Sequence, residues 1–565
     1  MEKRIPKWVV AAAIGFVVLF LIIMLVVSVI DKMTELTDIK NDEDAKKAIE
    51  RLMEKIDVKE GDPIKASVTL ESNLYDELPS ITEYPLSVEG YGKANIEIFA
   101  TSEKSGNDKD GWINEMAEEF NRQGNKTSTG EEMSVSIRPM ASGLGADYII
   151  SGKYLPQGFT PSNELFGELV VAQGGSVSME CEKLVGNVAG ILLTQSVHNN
   201  IEKQYGEVNI GTIVKATADG VITMGYTNPL SSATGLNFLV STLSFYDKND
   251  LQSTAAVDGF SKFQANVPYV AYTTLQMRTS AKSGSFNGMI MEYQSYINDR
   301  DLNDNYEFIP FGNCHNNPLY SVGKLTTQQD ETMKAFVEFC MSSESQNLAK
   351  TYGFNRLNDY KGDGIEYTGA DLIGAQRLWK TNKDSGRDIS AVFVADVSGS
   401  MDGEPLNLLK KSLTNGAQYI NNNNRIGLVS YSTDVTVELE IDKFDLNQRA
   451  FFQGAVENLS ANGSTASYDA IVVALDMLIK EKESNPNAKL MLFLLSDGEA
   501  NVGASLDDIK AVLEYYQIPV YTISYGEYAD TDAMEAVSAI NEAASINATV
   551  EDVVYKMKSL FNAQM

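Results

Sequence analysis

The sequence predicts an α/β protein with parallel sheets, organised as more than one soluble domain behind a single N-terminal transmembrane helix. Its 565 residues exceed the usual size of one domain. Apolar strand patterns alternate with amphipathic helix patterns along most of the chain, as they do in βαβ units. An uncharged apolar run near the amino terminus is long enough to cross a bilayer.

The transmembrane prediction concerns residues 9–30, which include no charged side chain. A helix of that length covers about 33 Å, enough to cross the hydrocarbon core of a membrane. Basic residues are concentrated in segment 1–8, and acidic residues are mixed in after the span. By the positive-inside rule we expect segment 1–8 to be cytoplasmic and everything after residue 30 to be extracytoplasmic. The sequence therefore predicts a single-pass protein of the cell membrane.

Charge and cysteine content exclude several classes of function. The net charge is −31, which argues against binding nucleic acid or anionic lipid headgroups through a basic surface. The three cysteines, Cys181, Cys314 and Cys340, have neither disulfide-framework nor zinc-site spacing. We interpret Cys314-His315 as part of a surface turn. A cysteine-poor chain outside the membrane fits a bacterial surface.

Residues 31–65 are dense in charge and carry apolar residues at spacings of three and four. This pattern predicts a charged helical stalk. Its apolar stripe has two interpretations that the sequence leaves open, namely contact with a partner or the next domain, and a solvated spacer.

Residues 66–370 form the larger soluble unit. A strand pattern at 96–102 ends in hydroxyl residues and is followed by an amphipathic helix pattern at 112–122. A second strand pattern, 221–228, runs into Asn228-Pro229, after which hydroxyl residues open another helix. Hydroxyls and free backbone N–H groups at the start of a helix can hold an anion or a carboxylate.

This order resembles the type 2 periplasmic, or extracellular, solute-binding proteins of bacteria. The resemblance rests on the first strand and its helix, on the strand–Asn-Pro…Thr-Gly–helix segment, and on the closing segment 334–354. It implies two lobes, with the chain crossing between them near 221–228 and 308–313, and a ligand cleft in between. The alternative is a two-lobed fold whose cleft binds no small molecule. The cleft residues that the resemblance implies are Thr101, Ser102, Ser142, Gly143, Asn228, Ser231, Ser232 and Thr234.

A polar linker is predicted at 371–384, and a second α/β domain at 385–565. Within it, buried strand patterns at 389–395 and 489–495 are each followed by an aspartate, Asp396 and Asp497. Ser398 and Ser400 alternate with other residues after the first aspartate, so one tight loop can direct all three side chains at one centre. Oxygen ligands alone suit a hard cation rather than zinc or copper.

With Thr465, which precedes another helix pattern, these residues resemble the metal-ion-dependent adhesion site (MIDAS) of the von Willebrand factor type A (VWA) domain. The resemblance covers 385–565 and implies a doubly wound parallel sheet of Rossmann-like topology. It assigns the metal to Asp396, Ser398, Ser400, Thr465 and Asp497. The cation it implies is Mg²⁺, with Ca²⁺ and Mn²⁺ as alternatives. One coordination position is left for an acidic residue of a protein partner.

Three functions fit the sequence. The first is a membrane-anchored extracytoplasmic binding protein that engages a protein partner through the metal and takes a small solute in the cleft. The second is a structural surface adhesin whose two-lobed unit is only a spacer. The third, a metallohydrolase, is disfavoured because neither a histidine nor an acidic base has a recognisable spacing beside the metal loops, and the sole candidate, Glu499, is interpreted as a solvated loop residue. We expect no catalytic residue and no enzymatic activity.

Overall fold

The computed structural model describes most of the chain from residue 39 onward. The predicted transmembrane helix and the cytoplasmic segment before it lie outside the described residues. Within the described ranges, no helix is both long and apolar enough to cross a bilayer. The structure describes residues 39–68, 78–267, 269–271, 277, 287–384, 387–498, 500–516, 518–525, 531–540, 545–548, 556–557 and 560–561.

Strands and helices alternate along the described chain. The strands are β1 (Val58–Glu60), β2 (Ala94–Ala100), β3 (Met133–Pro139), β4 (Gly158–Thr160), β5 (Val177–Cys181), β6 (Ala189–Thr194), β7 (Met224–Thr227), β8 (Tyr269–Ala271), β9 (Gly288–Glu292), β10 (Tyr306–Pro310), β11 (Leu319–Val322), β12 (Ile389–Asp396), β13 (Arg425–Tyr431), β14 (Val435–Lys443), β15 (Lys489–Ser496), β16 (Val520–Tyr525) and β17 (Ser545–Ala548). The α-helices are α1 (Asp42–Met53), α2 (Ser102–Ser105), α3 (Trp112–Arg122), α4 (Ser142–Ser151), α5 (Leu165–Ala172), α6 (Gln195–Tyr205), α7 (Ile210–Ala218), α8 (Ala233–Tyr246), α9 (Thr254–Gln264), α10 (Tyr293–Asn298), α11 (Arg300–Asn305), α12 (Thr327–Met341), α13 (Ser343–Thr351), α14 (Gly369–Asn382), α15 (Glu404–Gly416), α16 (Leu446–Asn458), α17 (Ser467–Ser484), α18 (Leu506–Tyr516) and α19 (Thr531–Ala539).

The C-terminal domain is built on a seven-stranded sheet in the order β1-β14-β13-β12-β15-β16-β17. Neighbouring strands are parallel except for the pair β13 and β14. All eight residues of the central strand β12 are buried. Its alternate residues face two different apolar clusters, Phe393 on one side and Val394 on the other. Because helices cover both faces, the predicted parallel α/β domain is confirmed.

The segment predicted as a stalk packs against this C-terminal domain. Strand β1 pairs in parallel with β14 and adds an edge to the sheet. Helix α1 contacts α17 and α18 and buries Ile49 and Leu52. We call residues 39–66 the N-terminal segment. This segment is part of the C-terminal domain, although the larger unit lies between the two in sequence. The predicted stalk is therefore wrong: the apolar stripe contacts neither the next domain in sequence nor solvent alone, but the C-terminal domain.

The larger unit has two lobes, each built on a five-stranded sheet. The first lobe has the order β3-β2-β4-β11-β5 and the second β10-β6-β9-β7-β8. The chain therefore crosses at two hinge segments, 182–188 and 311–318. The predicted first crossing near 221–228 is wrong, because β7 lies inside the sheet of the second lobe. The predicted return near 308–313 starts slightly early, since β10 ends at Pro310.

The predicted linker 371–384 is wrong as well, because α14 occupies most of it. Helix α14 contacts α5 of the first lobe and α8 of the second. Trp379 is fully buried, and its Nε1 donates to the hydroxyl of Tyr226 at 2.7 Å. Among the polar residues that suggested a linker, Arg377 and Thr381 are exposed, whereas Lys383 is buried. Both lobes are thus held by the element that leads into the C-terminal domain.

Candidate metal centre and interlobe cleft

Asp396 forms the floor of the candidate metal centre. It ends β12 and has no exposed surface. Its Oδ1 accepts the backbone N–H of Ser398 at 2.8 Å. Its Oδ2 accepts the hydroxyls of Ser496 at 2.6 Å and Tyr431 at 3.2 Å. Burial raises the pKa of the Asp396 carboxyl, and these hydrogen bonds act in the opposite direction.

Hydroxyl groups continue from this floor to the protein surface. Ser398 Oγ lies 3.0 Å from Ser400 Oγ, and Ser400 Oγ donates to Asp497 Oδ1 at 2.9 Å. Ser398 is buried, whereas Ser400 is exposed. Burial also raises the pKa of Asp497. Four of the five predicted ligands are therefore joined in one chain of side chains that reaches solvent.

Thr465 lies on a loop held beside this chain. The N–H of Gly399 donates to the carbonyl of Gly463 at 3.1 Å, which joins the two loops. Gly463 has φ +75°, a conformation that favours glycine. The N–H of Thr465 donates to Asn501 Oδ1 at 3.0 Å, and Thr465 is only 5% exposed. The predicted loops are therefore adjacent, although Thr465 is positioned through its backbone.

The charges around the centre fit a hard cation. Among the described residues, neither Asp396 nor Asp497 forms an ion pair with a basic side chain. A buried carboxylate is costly unless hydrogen bonds, a positive charge or a metal ion compensate it. In the described part of the chain, no three His, Cys, Asp or Glu side chains come together to hold a metal. The donor set here is two carboxylates and three hydroxyls, which are ligands for Mg²⁺ or Ca²⁺. Glu499, the candidate base of the hydrolase alternative, lies outside the described residues.

Most of the predicted cleft residues meet at one small cavity between the lobes. Its volume is ≈ 30 Å³, which is room for a water molecule or two but not for a solute. Gly143 and Asn228 do not line it. The N–H of Gly143 instead donates across the cleft to the carbonyl of Ser231 at 3.0 Å, and Asn228 Oδ1 accepts the N–H of Leu230 at 2.9 Å. The predicted residues that do line the cavity are Thr101, Ser102, Ser142, Ser231, Ser232 and Thr234.

A buried polar network lies behind this cavity. His315 is completely buried, and its Nδ1 is 3.0 Å from Glu292 Oε1, so the interpretation of Cys314-His315 as a surface turn is wrong. Thr234 donates to the same oxygen at 3.0 Å. Lys104 is also fully buried, and burial lowers its pKa to about 7. The sequence could not predict this burial, because His315 lies in a loop rich in Asn and Gly. Its partner, Glu292, ends a separate strand, β9.

Two family models match the chain. Residues 391–563 match the von Willebrand factor type A domain, and residues 105–355 match the bacterial extracellular solute-binding protein. The chain joins a bacterial solute-binding domain to a VWA domain. Both matched ranges lie within the domains predicted from the sequence. The solute-binding domain supplies the two lobes, and the VWA domain supplies the sheet that carries Asp396.

The curated relatives match this chain over only part of their own length. An uncharacterized protein of Synechocystis sp. is 28% identical over 153 residues, which is 27% of this chain and 35% of that protein. Inter-alpha-trypsin inhibitor heavy chain H3 of Mus musculus is 24% identical over 162 residues, 26% of this chain and 18% of that protein. The matches thus span about a third of the first relative and less than a fifth of the second.

Solved structures similar to each domain also exist. The sulfate-binding protein SubI from Mycobacterium tuberculosis is 16% identical with a TM-score of 0.34, over 50% of this chain and 96% of that one. A von Willebrand factor type A structure from Catenulispora acidiphila is 17% identical with a TM-score of 0.29, over 31% of this chain and 42% of that one. The assignment of the two domains rests on the family models.

Replacing Gly143 by Ala is expected to open the interlobe cleft. A Cβ at this position would lie 2.3 Å from the carbonyl oxygen of Leu230 and 2.6 Å from Cα of Ser231, both backbone atoms. We expect a larger radius of gyration for the full chain in small-angle X-ray scattering. Ser142→Ala is the matched control, because it removes a hydroxyl from the same turn without adding an atom. Equal scattering from Gly143→Ala and the wild type would show that this contact does not hold the lobes together.

Several residues that support the two sites were missed by sequence reasoning. In the VWA domain these are Tyr431 and Ser496, which hold Asp396. Ser496 directly precedes Asp497 at the end of a buried strand, and this position could have indicated that its hydroxyl lies at the metal centre. Tyr431 pairs with Asp396 in the sheet register, which only the fold reveals.

Proposed function

We propose that the chain is an extracytoplasmic binding protein, anchored in the cell membrane through residues 9–30, whose VWA domain engages a protein partner through a divalent cation. Asp396, Ser398, Ser400, Thr465 and Asp497 would hold the ion, which we propose to be Mg²⁺. The single observation that carries this proposal is the buried Asp396 carboxylate, which has no ion-pair partner in the described chain and is joined by hydroxyls to the surface. When bound, the cation supplies a strong electrostatic anchor for a carboxylate of the partner.

The protein groups have distinct tasks in this proposal. Ser496 and Tyr431 orient Asp396 from below through the hydrogen bonds described above. Asn501 binds the backbone of Thr465 and fixes the neighbouring loop. Ser400 is exposed and Asp497 half-buried, so these two groups lie closest to an approaching partner. The site thus combines a rigid interior with an accessible rim, as recognition of a partner requires.

The position of the N-terminal segment supports an arrangement relative to the membrane. The proposed membrane span is followed in sequence by α1, which packs on the VWA domain. The VWA domain would then lie closest to the membrane, and the two lobes of the solute-binding domain would extend away from it. Proteins carried by the same membrane are therefore the partners this arrangement favours.

Solute binding by the two-lobed domain is the second candidate function. It is favoured by the convergence of six predicted cleft residues on one cavity. The spacer alternative is favoured by the small size of that cavity and by the direct Gly143–Ser231 contact. We propose no catalytic activity, because the described parts of both sites consist of groups suited to holding ligands.

Capture of membrane proteins by the full chain is expected to depend on Mg²⁺. Chemical crosslinking in membranes should give specific adducts with Mg²⁺, lose them in EDTA and regain them when Mg²⁺ is restored. Asp497→Ala should abolish the adducts, because it removes one of the two carboxylates of the site. Its matched control is Asp532→Ala, which removes an exposed carboxylate elsewhere in the VWA domain. Adducts that persist unchanged in EDTA and in Asp497→Ala would contradict the proposed function.

A further inference from the structure

A larger cavity lies at the hinge of the solute-binding domain. Its volume is ≈ 250 Å³, and its wall is formed by the two hinge segments, Tyr293 and the loop 353–361. It shares no lining residue with the interlobe cavity. We call it the hinge pocket. It is therefore a separate space from the cleft to which the solute was assigned.

The hinge pocket is lined by positive charge. Lys183, Arg356 and Lys361 line it, and no Asp or Glu does. The whole chain has 77 acidic and only 46 basic residues, so a wall with three cations and no carboxylate departs from the average surface. Among the described residues, none of these three side chains pairs with a carboxylate.

The hydrogen bonds of these cations go to neutral groups. Arg356 Nε donates to the carbonyl of Lys350 at 3.0 Å, and Lys361 Nζ donates to the carbonyl of Asn358 at 2.7 Å. Each cation keeps further N–H donors for a ligand. Neither of these two hydrogen bonds pairs a pocket cation with a carboxylate.

Two carboxylates, Asp363 and Glu164, lie next to the pocket wall and accept hydrogen bonds from neutral groups, among them the hydroxyl of the pocket-lining Tyr360. Asp363 accepts the N–H of Gly312 at 3.1 Å. Glu164 accepts the side-chain amide of Asn313 at 3.0 Å. Neither carboxylate lines the pocket. A negative group from outside the protein is therefore the natural counter-charge.

The backbone beneath the cations is held firmly. Asn355 has φ 53°, and its N–H donates to the carbonyl of Gly186 at 2.8 Å. The N–H of Gly186 returns a bond to Asn355 Oδ1 at 2.8 Å. A Cβ at Gly186 would lie 2.8 Å from Cε of Lys183, so the end of the lysine side chain lies directly over this glycine. The loop and the hinge segment thus form one scaffold that brings Lys183 and Arg356 to the same cavity.

We propose that the hinge pocket binds a small multivalent oxyanion, a phosphate- or carboxylate-bearing molecule. Arginine and lysine recognise both groups, through the planar guanidinium fork and the ammonium point charge respectively. The volume is slightly below the range of drug-sized ligand cavities, which fits a small metabolite. A bound anion would join hinge segment 182–188 to the loop that leads into α14. It would therefore stabilise one arrangement of the two lobes without occupying the interlobe cleft.

Calorimetric titration of the full chain with inorganic phosphate and, separately, with succinate tests this proposal. Both titrations use metal-free buffer of low ionic strength, because screening weakens exposed charges. We expect saturable binding of one or both probes, and the arm with the tighter binding identifies the phosphate or carboxylate chemistry. Lys183→Gln and Arg356→Gln should each raise the Kd at least tenfold. Lys248→Gln, an exposed lysine outside the pocket, should leave it unchanged.

Two results would overturn the assignment. One is the absence of saturable heat with either probe. The other is binding that Lys183→Gln and Arg356→Gln leave as tight as in the wild type, since the anion would then sit elsewhere in the molecule. Neither result bears on Mg²⁺-dependent capture by the VWA domain, because the hinge pocket and the metal centre share no residue.

Discussion

Mn²⁺ binding by the full chain is expected to weaken at least 100-fold, or about 2.7 kcal/mol, when Asp396 is replaced by Asn. The substitution keeps the size of the side chain but removes its charge, and the charge is what a hard cation requires. Mn²⁺ serves as the probe because its electron paramagnetic resonance signal distinguishes free from bound ion. Thermal unfolding in EDTA should be close to that of the wild type, since the remaining oxygen can still accept the N–H of Ser398 and the hydroxyls of Ser496 and Tyr431 can rotate to accept from the new amide.

The effect of Asn on metal binding is easier to interpret than the effect of Ala at this position. Asp396→Ala would leave the hydroxyls of Tyr431 and Ser496 without their buried acceptor, which costs about 1–3 kcal/mol for each unsatisfied group. A loss of metal binding in that variant could then reflect a disturbed fold. Asp497→Asn offers an independent check, because Asp497 is half-buried and accepts only one side-chain hydrogen bond in the described chain, from Ser400.

A control variant, Glu440→Gln, separates specific Mn²⁺ binding from general attraction to the negative charge of the protein. A net charge of −31 attracts divalent cations weakly over the whole surface. Glu440→Gln removes one exposed carboxylate from the same domain. If it weakens Mn²⁺ binding as much as Asp396→Asn does, binding is diffuse and the candidate metal centre is not a specific site.

The parts of the fold that could be predicted from the sequence are those with strong local patterns. The strand predicted at 389–395 is β12, Ile389–Asp396, and the strand predicted at 489–495 is β15, Lys489–Ser496. Uninterrupted apolar runs identified both strands as buried on two faces. Since both run parallel and end at the same edge, the convergence of Asp396 and Asp497 followed directly from the pattern.

The parts that could not be predicted depend on distant partners. Strand β1 has only three residues and no pattern of its own, and its partner β14 begins at Val435. The first hinge segment lies at 182–188 because β6, a short apolar strand, starts the second lobe. Helix α14 could not be distinguished from a linker, because Trp379 is buried through contacts with segments distant in sequence, such as its hydrogen bond to Tyr226. The metal-centre residues follow patterns that are local in the sequence, whereas the domain boundaries depend on contacts between distant segments.

Removing the N-terminal segment is expected to destabilise the VWA domain, although the segment is separated from it by the solute-binding domain. Ile49 and Leu52 are 3% and 4% exposed in α1. Burial of two such side chains contributes about 1.5–3 kcal/mol each. The N–H of Gly61 donates to the carbonyl of Val437 at 2.8 Å, and deletion would leave this part of β14 as an open sheet edge.

Substitution in the full chain tests the same contact without changing its length. Leu52→Ala should cost about 2–5 kcal/mol, the usual range for a large-to-small change in a core. Hydrogen–deuterium exchange is the suitable measurement, because none of the three tryptophans lies in the VWA domain and fluorescence would not report on it. Exchange should rise in α17 and β14, while Glu50→Ala on the exposed side of α1 should leave it unchanged. Unchanged exchange in Leu52→Ala would mean that the VWA domain is stable without α1. Faster exchange would mean that residues on both sides of the solute-binding domain form one cooperative unit, so that a pull on the N-terminal segment acts directly on the sheet that carries Asp396.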